Sequence, residues 1–192
     1  MAMKPKEVVV IIPSKDIFVG NPHAPVTLME FGEYENEDCA KANEVVKKLM
    51  EEFGDNMKFN FRHFPLTKVH QRSMKAGEAS LAAGQDGKFW EMHNLLFQNR
   101  RQLGTTSLKL YSKEAGVNNK SFLNQLVDST YGWQVMTDLA EGINKGIKKI
   151  PAFFINGEFF TGKPTFEEMK KAISAALKKT KIKTKAPAKQ RA

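Results

Sequence analysis

The feature of this sequence that most limits its fold is a strand–helix–strand pattern between residues 26 and 63. Residues 26–31 (VTLMEF) form a short, mostly apolar run that is typical of a buried strand. A helical stripe follows, with apolar side chains three or four residues apart: Cys39, Ala42, Val46, Leu49 and Phe53. Residues 57–63 (MKFNFRH) then largely alternate between apolar and polar side chains, which predicts a second strand. Two strands joined by a helix run parallel in one sheet, so the pattern predicts a βαβ unit.

The rest of the chain predicts helices and one hairpin. From residue 66 to residue 145 the pattern is helical, interrupted by turns that contain glycine. Residues 150–155 and 158–160 are apolar runs on either side of Asn156-Gly157, a pair that favours a tight hairpin turn. The last helix opens at Thr165, with Glu168 three residues later in a capping box. The sequence therefore predicts an α/β fold in the order βαβ, helical insertion and ββα, with a small mixed sheet.

We expect four parts along the chain of 192 residues. An N-terminal extension covers residues 1–18, the sheet domain comprises residues 19–65 and 146–177, and an inserted helical domain spans residues 66–145. Residues 178–192 (KKTKIKTKAPAKQRA) hold seven basic and no acidic side chains, and they offer little apolar surface to bury. That composition predicts a disordered basic tail. Because the tail supplies most of the formal charge of +9, the rest of the chain is nearly neutral.

Composition also bears on partners and location. The 178–192 tail is suited to weak contact with nucleic acid or an anionic surface, although it lacks the aromatic side chains that stack on bases. No window of about 20 apolar residues predicts a membrane span, and no signal-peptide pattern opens the chain. The single cysteine, Cys39, excludes an intramolecular disulfide and favours a reducing, cytoplasmic location. The four histidines are scattered, so we expect no metal and no other cofactor.

Several segments resemble one known family. The stretch GNPHAPVTLMEFGEY is similar to the strand that leads to the family's active site, and FRHFPL, with His70 after it, is similar to its second strand. KFWEMHNLLF resembles a helix of its insertion, and GIKKIPAFFINGEFFTG resembles its cis-proline loop and terminal hairpin. From about residue 19 to residue 177 the chain thus resembles the DsbA-like thiol–disulfide oxidoreductases. The resemblance implies a thioredoxin-like fold with a helical insertion, and protein or peptide clients.

The active-site position departs from the pattern of that family. Where the family places Cys-Pro-x-Cys at the start of its first helix, this sequence has Asn36-Glu37-Asp38-Cys39. Cys39 therefore matches the position of the resolving thiol, and Asn36 replaces the nucleophile. Asparagine is a favourable helix N-cap, so the replacement keeps the scaffold while it removes the attacking sulfur.

Two functions remain open, and with them the question of whether the protein is an enzyme. Cys39 continues the apolar stripe one turn into the helix and follows several acidic residues, and both features favour a packed cysteine over a reactive one. One interpretation is a redox-impaired oxidoreductase that acts at best as a monothiol through Cys39. The alternative is a non-catalytic module that binds peptides or proteins on the same surface.

The resemblance also implies where clients would bind. Pro151 matches the cis-proline of the family, and Ile150 precedes it where a smaller or polar residue is common. The backbone beside such a loop can pair with an extended peptide by strand addition. We expect Pro151 and Ile150 to form the client-binding surface together with Tyr34 and Phe64, which would supply apolar contacts.

Overall fold

A computed structural model describes residues 11–185 of the chain. Its elements follow in chain order: a short 3-10 turn at Ser14–Asp16, β1 (Phe18–Gly20), β2 (Val26–Gly32), α1 (Glu37–Phe53), β3 (Met57–His63), α2 (Ser73–Gln85), α3 (Phe89–Gln98), α4 (Thr105–Glu114), α5 (Phe122–Val127), α6 (Gly132–Asn144), β4 (Ala152–Ile155), β5 (Glu158–Phe159) and α7 (Phe166–Lys185). The order confirms the predicted βαβ unit, helical insertion and ββα ending.

The strands form one mixed sheet in the order β1-β3-β2-β4-β5. The central pair is parallel, with Val26 opposite Met57 at one end and Gly32 opposite His63 at the other. β1 pairs antiparallel with β3, and β4 pairs antiparallel with β2 and with β5. Asn156 closes the β4–β5 hairpin at φ 50°, a conformation that asparagine tolerates better than most residues.

The two faces of β3 show how the layers divide. Phe59 and Phe61 face α1 and α3, where Phe61 contacts the ring of His93 at a centroid distance of 4.8 Å. Arg62 points to the opposite face and donates to Asp138 of α6 at 2.7 Å. Because side chains alternate along a strand, one element supplies the interior on both sides of the sheet.

The predicted N-terminal extension is wrong in its boundary, because residues 11–18 belong to the sheet domain. Phe18 begins β1, and Asn60 of β3 donates from its amide to the carbonyl oxygens of Ser14 and Ile17, both at 2.8 Å. The Ser14 hydroxyl donates to Asp138 at 2.6 Å. A strand of three residues is too short for an alternating pattern to reveal it. Residues 1–10 lie outside the described part of the chain.

The beginning of the predicted disordered tail is also helical. α7 runs to Lys185, so residues 178–185 continue the helix that starts after Thr165. Lysine and alanine are good helix formers, and the helix is already anchored by the buried side chains of Met169 and Ile173. The remainder of the predicted tail, residues 186–192, lies outside the described residues. Among residues 11–185, no helix is both long enough and apolar enough to span a bilayer.

Candidate functional site

The first turn of α1 carries the two residues that match the family's active-site cysteines. Asn36 is the N-cap, as the sequence predicts, and its side-chain oxygen accepts from the backbone N–H of Cys39 at 3.0 Å. This hydrogen bond satisfies one of the N–H groups left free at the start of a helix. The residue in the nucleophile position therefore acts as a cap in this chain.

Cys39 is the thiol of this turn, and it is inaccessible. Its relative exposure is 0%, and a Cβ on Gly32 would lie 3.2 Å from its Sγ. Burial, followed by the charge of the nearby Glu30, raises the pKa of Cys39 well above its ordinary value, against a weaker opposite effect of a backbone hydrogen bond with Glu33. The thiol form is therefore favoured, and the thiolate that disulfide exchange requires is not.

Glu30 is a site residue that the sequence analysis missed. It lies in β2 with 1% exposure, and neither carboxyl oxygen has a hydrogen-bond partner among the described residues. Glu30 and Cys39 lie on the same side of Gly32, because a Cβ atom added to Gly32 would lie 2.9 Å from Oε1 of Glu30 and 3.2 Å from Sγ of Cys39. Burial raises the pKa of Glu30 well above its ordinary value, because leaving water costs the carboxylate more than the neutral acid. The signal in the sequence was a glutamate inside the otherwise apolar run VTLMEF.

Three glutamates at alternate positions bind the turn before α1 to the inserted helical domain. The Glu33 carboxylate pairs with His70, and Glu35 accepts from the backbone N–H of Arg72 at 2.7 Å. Glu37 forms an ion pair with Arg100 at 3.0 Å. We call Glu33, Glu35 and Glu37 the glutamate tether. It connects this turn to residues that lie 37 to 63 positions away along the chain.

The loop opposite this turn contains Pro151, and the Ile150–Pro151 peptide bond is cis. A groove of about 590 Å³ opens beside it, between the start of α1, the β4–β5 hairpin and the loop before α7. We call it the cis-proline groove. Pro151 and Ile150 both line it, although the side chain of Ile150 is mostly covered at 2% exposure. Two of the residues that the sequence assigns to client binding therefore line this groove, and their role in binding stays a prediction.

The predicted client contacts of Tyr34 and Phe64 are wrong. Tyr34 is completely buried, with its ring stacked on Phe61 at 5.3 Å and its hydroxyl 3.1 Å from Nδ1 of His93. Phe64 is 7% exposed and packs against Gly142 of α6. Both residues flank the active-site segments in sequence, but their side chains point into the aromatic interior, away from the groove.

The groove has apolar residues that the sequence analysis did not single out. Phe159 of β5 is 55% exposed and lines the groove with Phe160 and with Val45 of α1. Phe159 lies on an outer strand of the sheet, and one backbone edge of that strand has no neighbouring strand in the part of the chain that the structure describes. The hairpin pattern predicted the strand, and its position at the sheet edge required the structure.

Two buried histidines near the site, His63 and His93, belong to the packed interior. His93 lies between the hydroxyl of Tyr34 and the side-chain oxygen of Asn43, each at 3.1 Å. His63 is completely buried, and burial lowers its pKa to about 4, which keeps the ring neutral. The described residues contain no group of three or more His, Cys, Asp or Glu side chains that could hold a metal ion.

Known proteins share the fold that surrounds this site. A family model described as Thioredoxin matches residues 13–175. The chain belongs to this thioredoxin family. Oxidised BdbD from Bacillus subtilis is similar in structure, with a TM-score of 0.77 and 24% identity over 84% of this chain and 92% of that one. The alpha-DsbA1 protein of Wolbachia pipientis has a TM-score of 0.72 and 23% identity, over 88% and 94% of the two chains. This member of the thioredoxin family therefore has the DsbA-like fold, as predicted.

Curated relatives of this thioredoxin-family chain are much longer proteins. The protein named Na(+)/H(+) antiporter NhaA 1 from Salinispora arenicola is 32% identical over 170 residues. The match covers 88% of this chain and 26% of that protein, so the chain spans about a quarter of its length. The similarity therefore concerns one part of the longer relative.

Proposed function

We propose that this protein is a DsbA-like thioredoxin-fold protein that lacks dithiol exchange and binds extended segments of polypeptide in the cis-proline groove. The observation that carries the proposal is the state of Cys39, the only cysteine of the chain, which is completely buried behind a capped helix turn. Dithiol exchange needs an accessible thiolate and a second thiol that resolves the mixed disulfide. This chain offers neither, whereas the groove is intact and open.

The groove has properties that suit an extended chain. Apolar side chains of α1 and the hairpin form its walls, and the backbone around Pro151 borders it. Extended peptides bind such surfaces through backbone hydrogen bonds, while alternate side chains enter apolar pockets. The exposed ring of Phe159 supplies an apolar contact at the mouth.

A monothiol reaction is the second candidate, since Cys39 keeps the resolving position beside Glu30. In that reaction the Cys39 thiolate attacks a disulfide such as oxidised glutathione, forms a mixed disulfide and releases one thiol. The reaction needs local opening of α1, because no part of the Cys39 side chain is accessible. The raised pKa of Cys39 disfavours it further. We therefore rank this candidate below peptide binding.

An insulin-reduction assay on three proteins separates these functions. We expect the wild type and Cys39→Ser to match the uncatalysed background, and Asn36→Cys to gain turnover because it adds a thiol at the helix N-cap. Wild-type turnover that disappears in Cys39→Ser would establish the monothiol reaction and refute the loss of redox chemistry.

Peptide binding is tested by NMR titration of the wild type with an unfolded, carboxymethylated polypeptide. We expect amide shifts at Ile150 and Ala152, which flank Pro151, and weaker binding in Phe159→Ala. Leu110→Ala is the matched control, because Leu110 is also exposed, at 61%, and lies on α4 away from the groove. Shifts that avoid the groove, or equal effects of the two variants, would refute the proposed site.

Two expectations from the sequence stay proposals. One is the cytoplasmic location. The other is contact of residues 178–192 with nucleic acid or an anionic surface. Residues 178–185 of this segment form the end of α7. Deleting residues 178–192 should remove any affinity for DNA in a gel-shift assay, and affinity that survives the deletion would exclude the tail as its source.

A further inference from the structure

The cis-proline groove has an apolar interior and a basic rim. Val45, Phe159 and Phe160 line it, and three lysines stand among its lining residues, at Lys41, Lys149 and Lys163. Among the residues that the structure describes, Asp38 is the one acidic residue that lines it. The ratio of basic to acidic side chains is therefore higher at this groove than over the nearly neutral chain outside the tail.

The acidic groups at the mouth are already paired, whereas two of the lysines are not. Glu37 binds Lys41 at 2.9 Å and Arg100 at 3.0 Å, and Asp38 lies 4.0 Å from Lys41. Lys149 and Lys163 form no ion pair with any side chain described in residues 11–185. The positive charge that remains unpaired at the rim is thus carried by these two lysines.

Two helix N-termini add to the positive potential. α1 begins at Glu37 on one side of the groove, and α7 begins after Thr165, which lines the other side. The N-terminus of a helix carries a partial positive charge. Glu168 opposes part of this effect, because its carboxylate accepts from the backbone N–H of Lys163 at 2.8 Å. That contact involves the backbone of Lys163, so among the described residues the ammonium groups of Lys149 and Lys163 still have no ion-pair partner.

The groove continues past the site along the edge of the sheet. A second cavity of about 360 Å³ shares Phe159, Phe160 and Thr161 with it and extends between the hairpin and α7. Its charged lining consists of Lys179 and Glu158. A ligand that followed both cavities would run beside β5, whose outer edge has no partner strand within residues 11–185.

We propose that the preferred ligand of the cis-proline groove is an extended acidic segment of polypeptide in which apolar side chains alternate with carboxylates. This inference rests on the proposed peptide-binding function and specifies its ligand. In an extended chain successive side chains point in opposite directions, so one set enters the apolar interior while the other reaches the rim. There the carboxylates pair with Lys149 and Lys163. A phosphate polymer would satisfy the lysines but not the apolar walls formed by Val45 and Phe159.

Fluorescence polarisation tests this preference with three labelled peptides of about ten residues. Each alternates apolar residues with one polar type, which is glutamate, glutamine or lysine. At about 0.01 M salt, where the screening length is about 30 Å, we expect the glutamate peptide to bind roughly tenfold more tightly than the glutamine peptide. At about 0.15 M salt, where that length is about 8 Å, the difference should shrink.

The double variant Lys149→Gln/Lys163→Gln assigns the preference to the rim. It should weaken binding of the glutamate peptide about fivefold, as expected for two exposed ion pairs, and leave the glutamine peptide unchanged. Lys113→Gln/Lys120→Gln is the matched control, since it removes the same charge from exposed positions of the inserted domain. We expect this control to bind all three peptides as the wild type does.

The possible outcomes test the preference for acidic peptides and the peptide-binding function separately. Equal binding of the glutamate and glutamine peptides would overturn the acidic preference and leave peptide binding in place. Failure of all three peptides to bind would overturn both. A labelled oligothymidine that binds more tightly than the glutamate peptide, and loses affinity in the Lys149/Lys163 variant, would replace the acidic peptide with a phosphate polymer.

Discussion

Glu30 allows the energetics of the candidate site to be tested through stability alone. Its carboxyl is buried in β2 without a hydrogen-bond partner among the described residues. Replacing it with methionine keeps an unbranched side chain of similar length and removes the polar atoms. Glutamine keeps the length and a polar end but cannot ionise. The pair of variants therefore separates the effect of charge from the effect of an unpaired polar group.

The expected gain follows from the missing partners. A buried polar group without hydrogen bonds costs about 1–3 kcal/mol. Since 1 kcal/mol shifts the melting temperature of a domain of this size by about 2–4 °C, Glu30→Met should melt about 2–12 °C higher than the wild type. Glu30→Gln should gain less, because its amide is still unpaired. A gain in stability on replacing Glu30 would indicate that this residue serves a functional site and not the stability of the fold.

The effect should depend on pH in a defined direction. Burial raises the pKa of Glu30 above its ordinary value of 4.5, so the folded state binds this proton more tightly than the unfolded state does. The contribution of the wild-type carboxyl is therefore most favourable below pH 4.5, and it is lost as the pH rises through the raised pKa. The advantage of both variants over the wild type should grow over the same range.

Thermal unfolding followed by circular dichroism at about pH 4 and about pH 8 measures these differences. The order expected at the higher pH is Glu30→Met, then Glu30→Gln, then the wild type. At the lower pH the glutamine variant should approach the wild type. If both variants melt below the wild type at both pH values, the buried carboxyl of Glu30 stabilises the fold, and the predicted gain is refuted.

Three further substitutions have outcomes that the packing determines. Burial lowers the pKa of His63 to about 4, so the stability that its neutral ring contributes is complete above pH 6.5 and is lost as the pH falls towards 4. In urea unfolding at a series of pH values, His63→Gln should therefore remove up to about 3 kcal/mol of the pH dependence of the unfolding free energy. Arg62→Met leaves the buried carboxylate of Asp138 without its cation, 2.6 Å away in the wild type, and should cost about 3–5 kcal/mol in the same assay. Gly142→Ala puts a Cβ 2.6 Å from the ring of Phe64 and should cost about 1–3 kcal/mol despite the better helix propensity of alanine.

Matched controls accompany the last two changes. Lys47→Met breaks the exposed pair with Glu44 and should cost less than about 1 kcal/mol. Gly104→Ala adds a Cβ with no atom within 4 Å, so only a small effect is expected. An Arg62→Met variant no less stable than Lys47→Met, or a Gly142→Ala variant as stable as the wild type, would contradict the packing described for α6.

Local patterns predicted the central part of the fold because they report burial directly. The apolar run of β2 and the helical stripe of α1 are buried as their patterns predict, the alternation of β3 marks a strand although both of its faces are buried, and Asn36 caps α1 as its residue type suggests. β1 was not predicted, because a strand of three residues is too short to show an alternating pattern of apolar and polar side chains. Tyr34 was assigned to the surface because the direction of a loop side chain depends on the backbone after the strand ends.

The candidate site was predictable where it rests on residue identity and unpredictable where it rests on distant partners. Asn36, Cys39 and Pro151 were found from the motif that they match or replace. Glu30 matters through its proximity to Cys39, which depends on how α1 packs on β2. The lysines of the groove come together from α1 and from two loops, and no single segment of the sequence shows them as a group.

The glutamate tether has a consequence for any attempt to exchange active sites between relatives. A Cys-Pro-x-Cys segment transplanted onto residues 36–39 would lose Glu37, and with it the ion pair to Arg100. It would also enter a turn whose path is fixed by contacts to His70 and Arg72. An exchange that preserves the geometry of this turn would therefore have to include residues 33–39 together with His70, Arg72 and Arg100.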